Sequence, residues 1–166
     1  MTRVVVMGVS GCGKSSVGAA LAQALGGTYV DGDDLHLPES VAKMARGEPL
    51  TDDDRWPWLD RVAACLSDAP DTMILGCSAL KRRYRDRIRD KTVQPVRFVH
   101  LVGDRALIAA RMAERTGHYM PTSLLDSQFA ALEPPDPDEK AVTVDIDQPV
   151  DAIVTAAIAG LERKTT

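Results

Sequence analysis

Apolar residues gather into five short runs: Val4 to Met7, Thr28 to Val30, Thr72 to Leu75, Val96 to Val102 and Val142 to Ile146. Each is enriched in β-branched side chains, and between them apolar positions recur at helical spacing. Continuous runs of this length read as strands covered on both faces, so the alternation predicts an α/β fold with a five-stranded parallel sheet and helices on both sides. The first helix should run from about Lys14 to Leu25, where Val17, Leu21, Ala24 and Leu25 share a face and Gly26-Gly27 supplies a stop. Further helices are expected from Trp56 to Leu66, from Lys81 to about Asp90, from an N-cap at Asp104 to about Arg115, and from about Val150 to Leu161. The proline-rich stretch from Glu133 to Pro137 is too short for a domain linker and reads as an ordered loop.

Composition narrows this picture only modestly. A chain of 166 residues, 45% of them apolar, can bury a core without disulfides or metal staples, so residues 1–166 are expected to form one domain. A net charge of −4 argues against a general nucleic-acid binder, because phosphate backbones reward a basic surface. Cys12, Cys65 and Cys77 are odd in number and lack paired C-x-x-C spacing, which predicts reduced thiols and no zinc site. No signal-peptide architecture and no apolar run of bilayer length occurs, so a cytoplasmic protein without a membrane partner is expected.

The chemistry begins directly after the first strand. Gly8-Val9-Ser10-Gly11-Cys12-Gly13-Lys14-Ser15 fills the pattern G-x-x-x-x-G-K-[ST], followed by Ser16 and the apolar face that starts at Val17. Glycines let backbone N–H groups converge on phosphate oxygens, Lys14 carries a cation to the β- and γ-phosphates, and the Ser15 hydroxyl can ligate Mg²⁺. ATP with Mg²⁺ is therefore the expected cofactor pair, and the helix N-terminus adds its own affinity for anions.

The second strand leads into Asp31-Gly32-Asp33-Asp34, at the sheet edge where open α/β folds bind ligands. A phosphoryl acceptor needs a carboxylate to align its hydroxyl and take the proton, the role assigned to Asp33. Asp31 is assigned to the metal and its waters. An acidic turn that merely caps the next element is the competing reading, and the upstream phosphate loop weighs against it. The third strand ends Gly76-Cys77-Ser78 without a Walker-B aspartate, and no Asn-Lys-x-Asp motif occurs, which disfavours switch GTPases and motor ATPases. Arg82 opens a basic helix close to a strand end and is the guanidinium expected to face the cleft. Arg111 and Arg115 lie four apart on one helix face before Thr116-Gly117-His118, a pattern suited to a helical lid over about residues 111–135. Arg115 is assigned to the transferring charge and Arg111 to the nucleotide, the alternative being that both complement the helix C-terminal dipole.

Taken together the residues resemble the gluconokinase family of small P-loop kinases, similar in fold to shikimate and adenylate kinases. The likeness spans nearly the whole chain: Gly8 to Ser15, Asp31-Gly32-Asp33 with His36, Lys43-Met44, Gly47 to Arg55, Trp58-Leu59, Cys77 to Lys81, Tyr84-Arg85-Asp86, Gly117-His118, Gln128-Phe129 and Val144 to Pro149. The resemblance implies ATP-dependent phosphorylation of D-gluconate at its 6-hydroxyl, commonly by a homodimer. A polyol acid needs hydrogen-bonding groups for its hydroxyls and cations for its carboxylate, and Asp33, His36, Lys43, Arg82, His118 and Gln128 offer that mix. Asp52-Asp53-Asp54-Arg55 is either part of this pattern or a cap for the next helix. The sequence departs from the family at Cys12, where serine is frequent, and at Ser40, where asparagine is common, leaving fine acceptor recognition open. A kinase for another small acid such as shikimate, and a regulatory nucleotide-binding module, are the alternatives.

Overall fold

The computed structural model describes residues 2–114 and 122–163. Five parallel strands, β1 (Arg3–Met7), β2 (Thr28–Asp31), β3 (Met73–Gly76), β4 (Arg97–Val102) and β5 (Val142–Asp145), form one sheet in the order β2-β3-β1-β4-β5. Side chains alternate across each strand and so divide the core into two layers. Val4 and Val6 face a cluster with helices α1 (Lys14–Leu25) and α7 (Val150–Arg163), whereas Val5 and Met7 face α3 (Asp52–Asp68) and α4 (Arg82–Lys91). The remaining helices are α2 (Pro38–Ala45), α5 (Arg105–Glu114) and α6 (Thr122–Ala131). The five strands and the doubly covered parallel sheet match the expectation from the apolar pattern.

The order also locates the functional edge. β1 and β3 are adjacent, yet the loop after β1 leads to α1 on one face while the loop after β3 leads to α4 on the other. Chains that leave neighbouring strands in opposite directions open a crevice at the strands' C-terminal ends, where such folds bind ligands. The Gly8 N–H donates to the Ser78 carbonyl at 3.2 Å, so the two loops meet there.

Local sequence explains most helix boundaries. α1 starts after Gly13, whose positive φ of 93° suits glycine, and stops at Gly26. α3 begins four residues before the expected Trp56, because Thr51 and Asp54 form a reciprocal capping box and Asp52 and Asp53 complement the helix N-terminus. The buried Arg3 then satisfies carbonyls at its far end, donating to Leu66, Ala69 and Asp71. α2 has no counterpart in the periodic pattern because its apolar Val41 and Met44 are exposed and its one buried residue is Ser40. No described helix is long and apolar enough to cross a membrane.

The proline-rich segment after α6 is ordered by charge. Arg85 is 0% exposed and donates to the carbonyls of Ala79 and Glu133 and to the carboxylate of Glu139, itself 0% exposed. Burial alone would raise the Glu139 carboxyl, but hydrogen bonds from Arg85 and Arg89 hold it down at about 2. Arg85→Ala removes one of the two arginines on this buried carboxylate and orphans the Ala79 and Glu133 carbonyls, so it should lower stability by about 3–5 kcal/mol in denaturant unfolding. A loss below about 1 kcal/mol would mean that Arg89 alone compensates the Glu139 charge.

Candidate active site

The phosphate loop rises from the end of β1 with its glycines in conformations that the sequence pattern requires. Gly11 has a φ of 82°, and a side chain there would collide with Met112 of α5. Lys14 folds back over the arch, its Nζ donating to the carbonyls of Gly8 and Val9 at 2.9 and 3.0 Å. Ser15 and Ser16 are exposed in the first turn of α1, where N–H groups lack helical partners. Cys12 is 1% exposed, and Cys12, Cys65 and Cys77 are all reduced thiols.

Next to this loop lies a polar cluster on the short 3-10 turn after β2. Asp31 caps that turn, its Oδ1 accepting from the Asp33 N–H at 3.0 Å. The Asp33 side chain is 77% exposed. Its carboxyl is nevertheless raised above the usual range, first by partial desolvation and then by the charge of Asp31, with Lys14 and His36 opposing. His36 stacks on Trp58 with ring centroids 4.1 Å apart, and Trp58 is fixed by a 2.7 Å bond from its Nε1 to the Gly32 carbonyl. His36 Nε2 lies 3.9 Å from Asp33 Oδ1, while its buried Nδ1 has no hydrogen-bond partner among the described residues. Burial lowers the imidazole pKa against the pull of Asp33, with Arg55 adding to the lowering, so His36 is neutral near pH 7.

The other residues singled out in the sequence are distributed differently. Lys43 bonds Asp54 at 2.7 Å and ties α2 to the start of α3. Arg82 forks onto Asp138 at 2.7 and 2.8 Å and reaches Asp136 at 2.9 Å, so its guanidinium is a strut to the segment after α6 and is not brought to Asp33. Gln128 of α6 meets the phosphate loop itself, at Ser10. Arg111 lines a cavity of about 270 Å³ together with Gly11, Gly13, Ser16, Gln148 and Pro149. Arg115 and His118 lie outside the described residues.

Sequence reasoning gave several participants no role, although Arg55 and Trp58 lie within the motifs that carry the resemblance. Arg55 is the guanidinium whose charge reaches His36, and it is held by the Leu50 carbonyl at 2.8 Å and over the Tyr84 ring. Its position directly after three aspartates gives it the look of a helix cap. Tyr29 fills a slot floored by Gly18 and Gly76, with its hydroxyl toward Ser15, and Trp58 carries His36. The glycines at 18 and 76 were the available signal for a large ring packed against them.

A phosphate loop at the crevice of a doubly covered parallel sheet, with an acidic cluster on the turn after β2, has the arrangement of a small P-loop kinase. A family model described as an AAA domain matches residues 4–135. A gluconokinase from Gluconobacter oxydans is 44% identical, over 93% of this chain and 88% of its own length. The crystal structure of a gluconokinase from Sinorhizobium meliloti superposes with a TM-score of 0.90 at 49% identity, covering 98% of this chain and 93% of that one. Shikimate kinase from Aquifex aeolicus, at 16% identity, 99% and 98% coverage and a TM-score of 0.65, shares the fold. The chain belongs to the gluconokinase family.

Proposed function

We propose that this protein transfers the γ-phosphoryl group of ATP to the 6-hydroxyl of D-gluconate. The observation that carries the reading is the placement of Lys14 beside the Asp33–His36 cluster, within electrostatic reach of its acid, at one end of the sheet. Asp33 aligns the acceptor hydroxyl and takes its proton, a role to which its raised pKa is suited. His36, through the Nε2 that faces Asp33, is the hydrogen-bonding group offered to a substrate hydroxyl, and Arg55 is the nearby cation for the carboxylate. Lys14 leaves the loop carbonyls for the β- and γ-phosphates, while the base and sugar of ATP occupy the cavity between Arg111 and Pro149. Arg111 and Arg115 belong to a lid that neutralises charge and excludes water.

Magnesium fits the donors present. Ser15 offers an exposed hydroxyl, and Asp31 commits one carboxylate oxygen to its cap and keeps the second available, a hard oxygen set of the kind Mg²⁺ takes alongside phosphates. Bound there, the ion would supply charge neutralisation between the β- and γ-phosphates. The family resemblance also supports a cytoplasmic homodimer. ADP release with Mg²⁺-ATP should be stimulated by D-gluconate far more than by shikimate, neutral sugars or AMP. Equal stimulation by shikimate would reassign the acceptor, and no stimulation by any acceptor would favour a regulatory nucleotide-binding module.

A further inference from the structure

The arch of the phosphate loop is held from two sides. Lys14 grips the carbonyls of Gly8 and Val9 from within, while Gln128 of α6, 118 residues away in sequence, clasps the next residue from without. Gln128 Oε1 accepts from the Ser10 N–H at 2.6 Å, and its Nε2 donates to Ser10 Oγ at 2.8 Å. A backbone N–H can only donate, so it fixes which end of the amide faces it, and the second bond uses the end that remains.

The helix that presents Gln128 is itself anchored. Leu132, one residue past α6, donates its N–H to the Gln128 carbonyl at 3.0 Å, and the next residue, Glu133, donates to the Leu80 carbonyl at 2.7 Å. The Glu133 carbonyl accepts from buried Arg85, and its carboxylate accepts from the Arg82 N–H. Arg105 on α5 binds Asp126 on α6 at 2.5 Å, and Met112 of α5 packs on Gly11. Consecutive loop residues, Ser10 and Gly11, are therefore each set by one of two joined helices.

We propose that Gln128 is a positioning residue for nucleotide phosphates: it fixes the Ser10 peptide, and with it the shape of the phosphate loop, and takes no part in reading the acceptor. Closing a flexible glycine-rich loop on an anion carries an ordering cost, and a two-point clasp removes part of that cost beforehand. The inference rests on the ATP-dependent reading above, and nucleotide binding can be measured without any acceptor.

The test is calorimetric titration with Mg²⁺-ADP, paired with steady-state kinetics in D-gluconate at saturating ATP. Gln128→Leu should weaken Mg²⁺-ADP binding by about tenfold, leave the gluconate KM within about twofold and lower the thermal unfolding midpoint by only a few degrees. Ser10→Ala should weaken it by about threefold alone and add nothing in the Gln128→Leu background, the non-additivity expected of partners in direct contact. Unchanged ADP affinity, additive effects, or a raised gluconate KM at unchanged ADP affinity would overturn the proposal. Should Gln128→Leu fail to fold, Ser10→Ala alone decides, since an unchanged ADP affinity in that variant is also contradictory. Failure of the gluconate arm alone, with no turnover in the parent protein, would indict the acceptor assignment and leave the ADP arm readable.

Discussion

Replacing Lys14 by alanine is expected to lower kcat by about 10³-fold or more while the protein stays folded. Transfer concentrates negative charge on the phosphoryl oxygens, and in this chain Lys14 is the cation built into the loop that would receive them. A thousandfold loss corresponds to about 4 kcal/mol of transition-state stabilisation, well within what a charge in a water-poor cleft supplies. The folded state depends on Lys14 far less. Its amine bonds two loop carbonyls, Gly8 and Val9, from a partly exposed position, so its removal should cost less than about 1.5 kcal/mol. Phosphorylation measured beside thermal unfolding separates the two effects. Activity within tenfold of the parent would remove Lys14 from the mechanism.

Asp33→Asn should reduce transfer by about 10²–10⁴-fold with nucleotide affinity nearly unchanged. Asparagine keeps the shape and can still accept a hydrogen bond, but it cannot take the acceptor proton. The pH dependence gives an independent check. Partial desolvation and Asp31 raise the Asp33 carboxyl, so its active, deprotonated form is lost as pH falls through a value above the ordinary carboxylate range. The parent enzyme should therefore show an acid limb in kcat/KM for the acceptor, and the asparagine variant should lack it. An identical limb in both would place the titrating base elsewhere, and unchanged turnover would move the proton to another group.

Legibility in the sequence tracks the range of the forces involved. The phosphate loop, the five strands and α1 are set by local backbone chemistry and short apolar periods, and these were legible to within a residue or two. The start of α3 turned on a capping box only four residues long, and the cap was one of two readings already open for the aspartates. Long-range pairing was not legible. Arg82 finds Asp136 and Asp138 more than fifty positions away, and nothing in a helical pattern of basic residues says which acids will meet it. Gln128 likewise carries no local mark of its bond to Ser10. Arg55 stood hidden behind three acids that had a sufficient explanation as a helix start, although its position brings its charge to His36. Ser40 is buried within α2, so the departure there concerns the packing of that helix.

Phosphorylation of D-gluconate at the 6-hydroxyl is tested most directly by phosphorus NMR of the product formed from Mg²⁺-ATP and gluconate. Only the 6-position bears two hydrogens on the esterified carbon, so the expected result is a single new phosphomonoester resonance split into a triplet by them. A doublet, from ester formation at a secondary hydroxyl, or inorganic phosphate as the only new signal besides those of ADP, would contradict the assignment.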